Sequence, residues 1–200
     1  MNDIKDKAKQ CALSLIAFLK NPIQGMRSLP EWPWQELLLV LLAISAICGA
    51  AQGIVSGKVL SIIAGILFYP IGITILVGLF SGFFYYVFLF FFKRELDFKR
   101  LFTTVVFASI PSLLVSIATP ILPPIQLLGV VSTLFLLAVG FTENFQLPKR
   151  QVTKFLAGIL LIYLIFWIFS SINFKKTKDS FRDQATPESI DILEQELKNE

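Results

Sequence analysis

Leu101–Thr142 reads LFTTVVFASIPSLLVSIATPILPPIQLLGVVSTLFLLAVGFT, a run of 42 residues without one charge. As a single helix it would be about 63 Å long, twice the ~30 Å hydrocarbon core of a bilayer. The stretch Thr119–Pro124, TPILPP, cannot continue a helix, because Pro120, Pro123 and Pro124 each lack an amide donor and restrict the residue before them. The run therefore reads as a hairpin of two membrane spans, and the fold class follows from it: an all-α, polytopic membrane helix bundle.

The rest of the chain agrees. Of 200 residues, 55% are hydrophobic and 16% charged, against about 25% charged in ordinary soluble domains. Between Leu37 and Phe174 charge is confined to Lys58, the cluster Lys93–Arg100, Glu143, Lys149, Arg150 and Lys154. A first span is expected at about Gln35–Val55 and a last at about Phe155–Ile172. The uncharged run Val59–Phe92 is too long for one straight span and too short for two. It is read as one span, about Ile66–Phe92, preceded by a partly embedded turn or short helix broken near Pro70. Five spans result.

Lys5, Lys7 and Lys9 precede the apolar CALSLIAFL, but no small-x-small cleavage site follows and the segment runs into Lys20-Asn21-Pro22. It reads as an amphipathic helix with Ile4, Ala8, Cys11, Leu15 and Leu19 on one face. That face suits either the membrane surface or the protein's own spans. Pro30 and Pro33 interrupt LPEWPW, where Trp32 and Trp34 fit headgroup anchors. Three regions are expected: residues 1–34, this helix and the interfacial segment; 35–173, the membrane domain; and 174–200, a charged tail. Within the tail, Thr186-Pro187-Glu188 suits a helix start, with Ile190, Leu193 and Leu197 on one face.

With the N-terminus inside, the inner segments carry 12 Lys and Arg and the outer ones 6. The positive-inside rule thus favours a cytoplasmic N-terminus. The net charge of +4 is accounted for by these loops, and no nucleic acid is expected as partner. Histidine is absent, which removes the commonest general base and metal ligand. Cys11 and Cys48 show no metal or redox spacing. No catalytic constellation and no row of embedded charges is present, so no enzyme activity, metal or cofactor is expected.

Small residues carry a signal of their own. Gly49, Gly53 and Gly57 recur at four-residue spacing, as do Gly78 and Gly82, a pattern that lets helices approach closely in lipid. Within the third span, Pro111 frees the carbonyl of Phe107, which Ser109 or Ser112 can satisfy locally. A kink near residues 107–111 that opens the span towards its neighbours is one reading, and a packing role is the other. Glu143, beside Asn144 at the end of the fourth span, is either solvated or, facing Lys149-Arg150, ties the following loop to the bundle.

Several of these positions also carry a resemblance. From about Asn21 to Asn173 the layout resembles the Yip family of Ypt/Rab-interacting membrane proteins, particularly its short bacterial members. It rests on Asn21-Pro22 after an N-terminal helix, on the basic start Phe98-Lys-Arg-Leu101, on Phe107-Ala-Ser-Ile-Pro111, and on Gly140-Phe-Thr-Glu143. The chain departs from the family in having Phe107 where a tyrosine is usual and Asn144-Phe145 where bacterial members often carry a histidine. The resemblance implies an integral protein of a bacterial cytoplasmic membrane that organises membrane or recruits partners as a trafficking-like scaffold. Its partners would be the lipid bilayer and a protein or second copy meeting its spans. A small transporter or lipid-handling protein is the alternative, for which Gln52, Tyr69, Thr74 and Ser109 supply polar groups within spans.

Overall fold

A computed structural model describes residues 2–184, with side chains placed for residues 10–170. The tail helix expected from Thr186 onwards lies outside the described residues. The chain divides into two compact units, Met1–Leu156 and Ala157–Glu200.

Among the described residues seven α-helices follow one another: α1 (Asn2–Lys20), α2 (Pro22–Arg27), α3 (Trp34–Val55), α4 (Val59–Phe91), α5 (Phe98–Ser116), α6 (Gln126–Asn144) and α7 (Lys149–Gln184). Five stretches are long and apolar enough to cross a membrane: α3, α4, α5, α6 with its preceding 3₁₀ turn, and Lys149–Ser170 of α7. The TPILPP segment turns the chain as its prolines require, with the 3₁₀ turn at Pro123–Ile125. The last helix begins six residues before the expected Phe155, at Lys149.

In the first unit α5 is the central element, in contact with α2, α3, α4 and α6. Its burial has a cause in its sequence: residues Leu101–Ala108 combine apolar side chains with Thr103 and Thr104, and all eight are buried. The two threonine hydroxyls donate to the carbonyls of Lys99 and Arg100 one turn back, at 2.9 and 2.8 Å. Such bonds let a polar residue enter an apolar core without an orphaned donor. Aromatic rings fill the space between α4 and α6, where Phe88 meets Phe141 edge-on at 4.8 Å and Phe84 meets it at 5.1 Å.

Two expectations change. The segment before Ile66 is not a broken prelude: α4 runs unbroken for 33 residues, with Pro70 inside it. Proline removes one amide donor, and in lipid the freed groups are met locally. The carbonyl that Pro70 frees is that of Ile66, one turn back; the Thr74 hydroxyl donates to a different carbonyl, that of Pro70 itself, at 2.8 Å, and Pro70 is buried. At ~1.5 Å per residue α4 is about 50 Å long, more than a ~30 Å core accommodates without tilt or overhang. Helix α5 also runs through Pro111, which is compatible with both readings of that proline, a kink and a packing role; what changes is the capping. Neither serine bonds the Phe107 carbonyl: Ser109 donates to Val106 at 2.7 Å, and Ser112 accepts from the Gln126 amide at 3.2 Å.

The first of the two glycine patterns is used. A Cβ on Gly49 would run into the Gly65 carbonyl, and one on Gly53 would lie 2.6 Å from the Ile62 Cα. Both contacts are with backbone, so α3 and α4 cross as closely as two helices can. The turn between them uses Gly57 at φ +70°, a conformation in which side chains are strained. At Gly78 and Gly82 an added methyl would have nothing within 4 Å, and the two glycines contribute to no helix crossing. The partner of Gly49 is Gly65, a residue outside both patterns.

Candidate functional site: the junction of the N-terminal segment with the bundle

Helix α2 has only six residues, too few to persist by its own backbone bonds. Its ends are therefore informative. Asn21 is the N-cap, its side-chain oxygen accepting from the Gln24 amide at 3.2 Å, and Pro22 occupies the first turn, where its missing donor costs nothing. The Asn21-Pro22 pair thus has a local physical role as a helix start. At the other end the last carbonyls of a helix lack internal partners. The Met26 carbonyl accepts from Asn144 Nδ2 at 2.7 Å, a bond between residues far apart in the chain that fixes the end of α2 to the end of α6.

The Met26 side chain is fully buried and occupies the space that Gly140 leaves open. A Cβ on Gly140 would lie 2.6 Å from Met26 Cε and 2.6 Å from Thr104 Cγ2. Beside it, Arg27 and Glu143 form an ion pair at 3.4 Å, with both side chains about half exposed. The expected facing of Glu143 towards Lys149-Arg150 is thereby corrected. Its ion-pair partner among the described residues is Arg27, because α2 docks across the end of α6 and brings that guanidinium within reach.

One turn further along α5, Phe107 is buried to 1% exposure. Phe18 of α1 meets its ring edge-on at 5.1 Å, and Trp32 meets it at 5.4 Å. Trp32 is thus a packing residue of this junction, while Trp34 lies against Phe98 and Phe102 at the head of α5. The face of α1 that docks is centred on Phe18, which is buried; Leu19, one of the residues of the expected apolar face, is half exposed along with Leu13 and Ile16. Gly25 permits the tight corner between α1 and α2, since a Cβ there would lie 2.5 Å from Phe18 Cδ2. A cavity of about 250 Å³, lined by Ser14, Asn21, Gln24 and Ser28 among others, abuts Phe107. On α1, burial and the nearby Glu36 carboxylate push the Cys11 thiol above its ordinary range, which keeps it protonated and unreactive at neutral pH.

Four residues singled out from sequence, Phe107, Gly140, Glu143 and Asn144, therefore come together around α1 and α2. Pro111 lies a turn deeper in α5, and Gly49 and Gly53 belong to the α3–α4 crossing. Gly78 and Gly82 join neither. Met26, Arg27, Phe18 and Thr104 complete the junction without a motif to announce them. The one available cue was Met26, a lone large apolar residue in the polar stretch Gln24–Ser28. No group of three or more potential metal ligands occurs among the described residues. The arrangement holds a segment in place; it offers no nucleophile paired with a base.

A family profile described as the Yip1 domain matches residues 16–172. The matched region begins in α1, so it includes the docked segment as well as the spans. No curated protein and no solved structure matches the chain.

Proposed function

We propose, from the premise that this chain belongs to the Yip family, that it is a membrane scaffold whose charged end faces the cytoplasm and recruits partners or shapes the adjoining membrane. The family is a non-catalytic one of integral membrane proteins. In this reading residues 1–34 form the docked segment, 35–173 the membrane domain and 174–200 a charged tail. A bacterial cytoplasmic membrane and a cytoplasmic N-terminus follow from the resemblance and the charge count.

The observation that carries the proposal is the junction. The chain spends specific long-range contacts on fixing a short helix at the end of the bundle where α4 ends, α5 begins and α6 ends. The same end carries Lys93–Arg100 and Lys149–Lys154, so a fixed polar surface is assembled there. The core supports scaffolding over transport: buried Ser45, Ser81, Thr103, Thr104 and Ser116 donate to carbonyls of their own helices. Hydroxyls so engaged do not line a polar path.

Two experiments test it. Cysteines introduced at Leu122 and Gln151 should be labelled from opposite sides of the membrane, Gln151→Cys from the cytoplasm; labelling of both from one side removes the five-span topology, and the reverse sidedness removes the orientation. Cross-linking in native membranes should yield a partner set that Gly140→Leu loses while still inserting. An unchanged set would detach recruitment from the junction.

A further inference from the structure

The second feature of the molecule lies at the other end of α4. The Tyr69 and Ser116 hydroxyls meet at 3.0 Å, which sets the last residue of α5 level with Tyr69. The ten residues of α4 before Tyr69 therefore reach about 15 Å past the end of α5. This overhang is apolar and outward-facing, with Leu60, Ile63 and Leu67 exposed, so it stays in hydrocarbon. On its flank is a groove of about 690 Å³ lined by residues of α3 and α4 and by Pro120 of the α5–α6 connection.

The groove has a direction. At the α3–α4 link it is lined by Gln52, Ser56 and Ser61, and Lys58 stands exposed in that link. Among the described residues, neither the Gln52 amide nor the Ser61 hydroxyl has a side-chain hydrogen bond to protein. Deeper, the lining becomes Gly72, Ile73 and Leu76. From Ser61 to Leu76 the groove follows α4 for about 22 Å, longer than the ~15 Å of one leaflet of a ~30 Å core. Its volume lies within the ~300–1,000 Å³ of ligand sites.

We propose that this groove binds one acyl chain of a bilayer phospholipid, with the ester oxygens at Gln52 and Ser61 and the chain along Gly72 to Leu76. A void in the hydrocarbon zone beside an apolar overhang is filled by hydrocarbon. The uncommitted donors at one end select an occupant with oxygens there, and Lys58 places a cation at the level of a phosphate. Gly72 keeps the deep part open: nothing of the protein lies within 4 Å of a Cβ built on it. The site is at the opposite end from the junction and does not depend on the scaffold reading.

Native mass spectrometry of the purified chain tests the assignment, with Gly72→Leu, Gln52→Ala and, as control on the same helix, Gly78→Leu. Wild type and Gly78→Leu should each retain one phospholipid through collisional activation. Gly72→Leu should lose it at least fivefold with unchanged helical circular dichroism, and Gln52→Ala should weaken retention. Equal retention by Gly72→Leu, absence of lipid from wild type, or a free fatty acid or water-filled groove in its place overturns the proposal. Should Gly72→Leu misfold, a phospholipid with a photoreactive chain should label wild type within residues 61–76; labelling confined to the rest of α4 contradicts it.

Discussion

Gly49 and Gly78 look alike in sequence. Each opens a glycine pair at four-residue spacing in an apolar helix. In the structure Gly49 lies against the backbone of Gly65, so closely that a methyl could not be inserted, whereas Gly78 faces open space. Small residues permit close approach; they do not supply the second helix. What decides is the partner's surface, and opposite Gly49 that surface is another glycine. Gly140 represents an intermediate case. It too faces a close neighbour, but the atoms it meets belong to side chains: Met26 Cε, which can shift, and Thr104 Cγ2, whose rotamer is held by the hydroxyl bond to the Arg100 carbonyl.

The sharpest way to break this comparison is Gly49→Val. Backbone cannot yield as a side chain does, so thermal unfolding in detergent should show a loss of about 3 kcal/mol, the upper end for overpacked cores. Gly78→Val read in the same assay should change stability by less than about 0.5 kcal/mol, as for surface substitutions away from special features. Equal effects would remove the distinction between the two pairs.

The junction gives the next-largest effect. Asn144→Ala leaves the Met26 carbonyl without its donor, at a cost of about 1–3 kcal/mol, and amide exchange across residues 22–28 should speed up. Gly140→Ala should fall in the same range, because Met26 can give way but Thr104, held by its bond to Arg100, cannot. Glu143→Gln should cost less than about 1 kcal/mol, since the ion pair with Arg27 is half exposed and screened by salt. A Glu143→Gln loss exceeding that of Asn144→Ala would make the ion pair, and not the amide–carbonyl bond, the principal tie. Phe107→Tyr should be tolerated with little change, because a cavity with polar lining abuts the ring.

Much of the architecture was legible because a bilayer permits few solutions. An uncharged run of 42 residues interrupted by TPILPP admits a hairpin and little else, and α5, α6 and their connection follow it. The Val59–Phe92 run was harder. Pro70 argued for a break, and only tertiary placement shows that the helix continues through it with the proline buried. Of the junction, the sequence displayed one half. Gly140, Glu143 and Asn144 cluster locally, and Asn21-Pro22 announces a helix start. That the two meet is a contact across 118 residues, which no local period encodes. The same limit explains why the sequence offers Lys149 and Arg150 as the nearby cations for Glu143, as the alternative to plain solvation, and not Arg27.

The central claim is that α2 sits on the end of α6 in the membrane-embedded protein. In a chain with Cys11→Ser and Cys48→Ala, Arg27→Cys and Glu143→Cys replace the two members of the ion pair. A short bis-maleimide added to native membranes should join them into an internally cross-linked species, detectable as a shift that proteolysis between the two sites does not separate. Asn144→Ala should reduce the yield several-fold. Efficient labelling of both cysteines without any cross-link would contradict the account, because it would place α2 away from the end of the bundle.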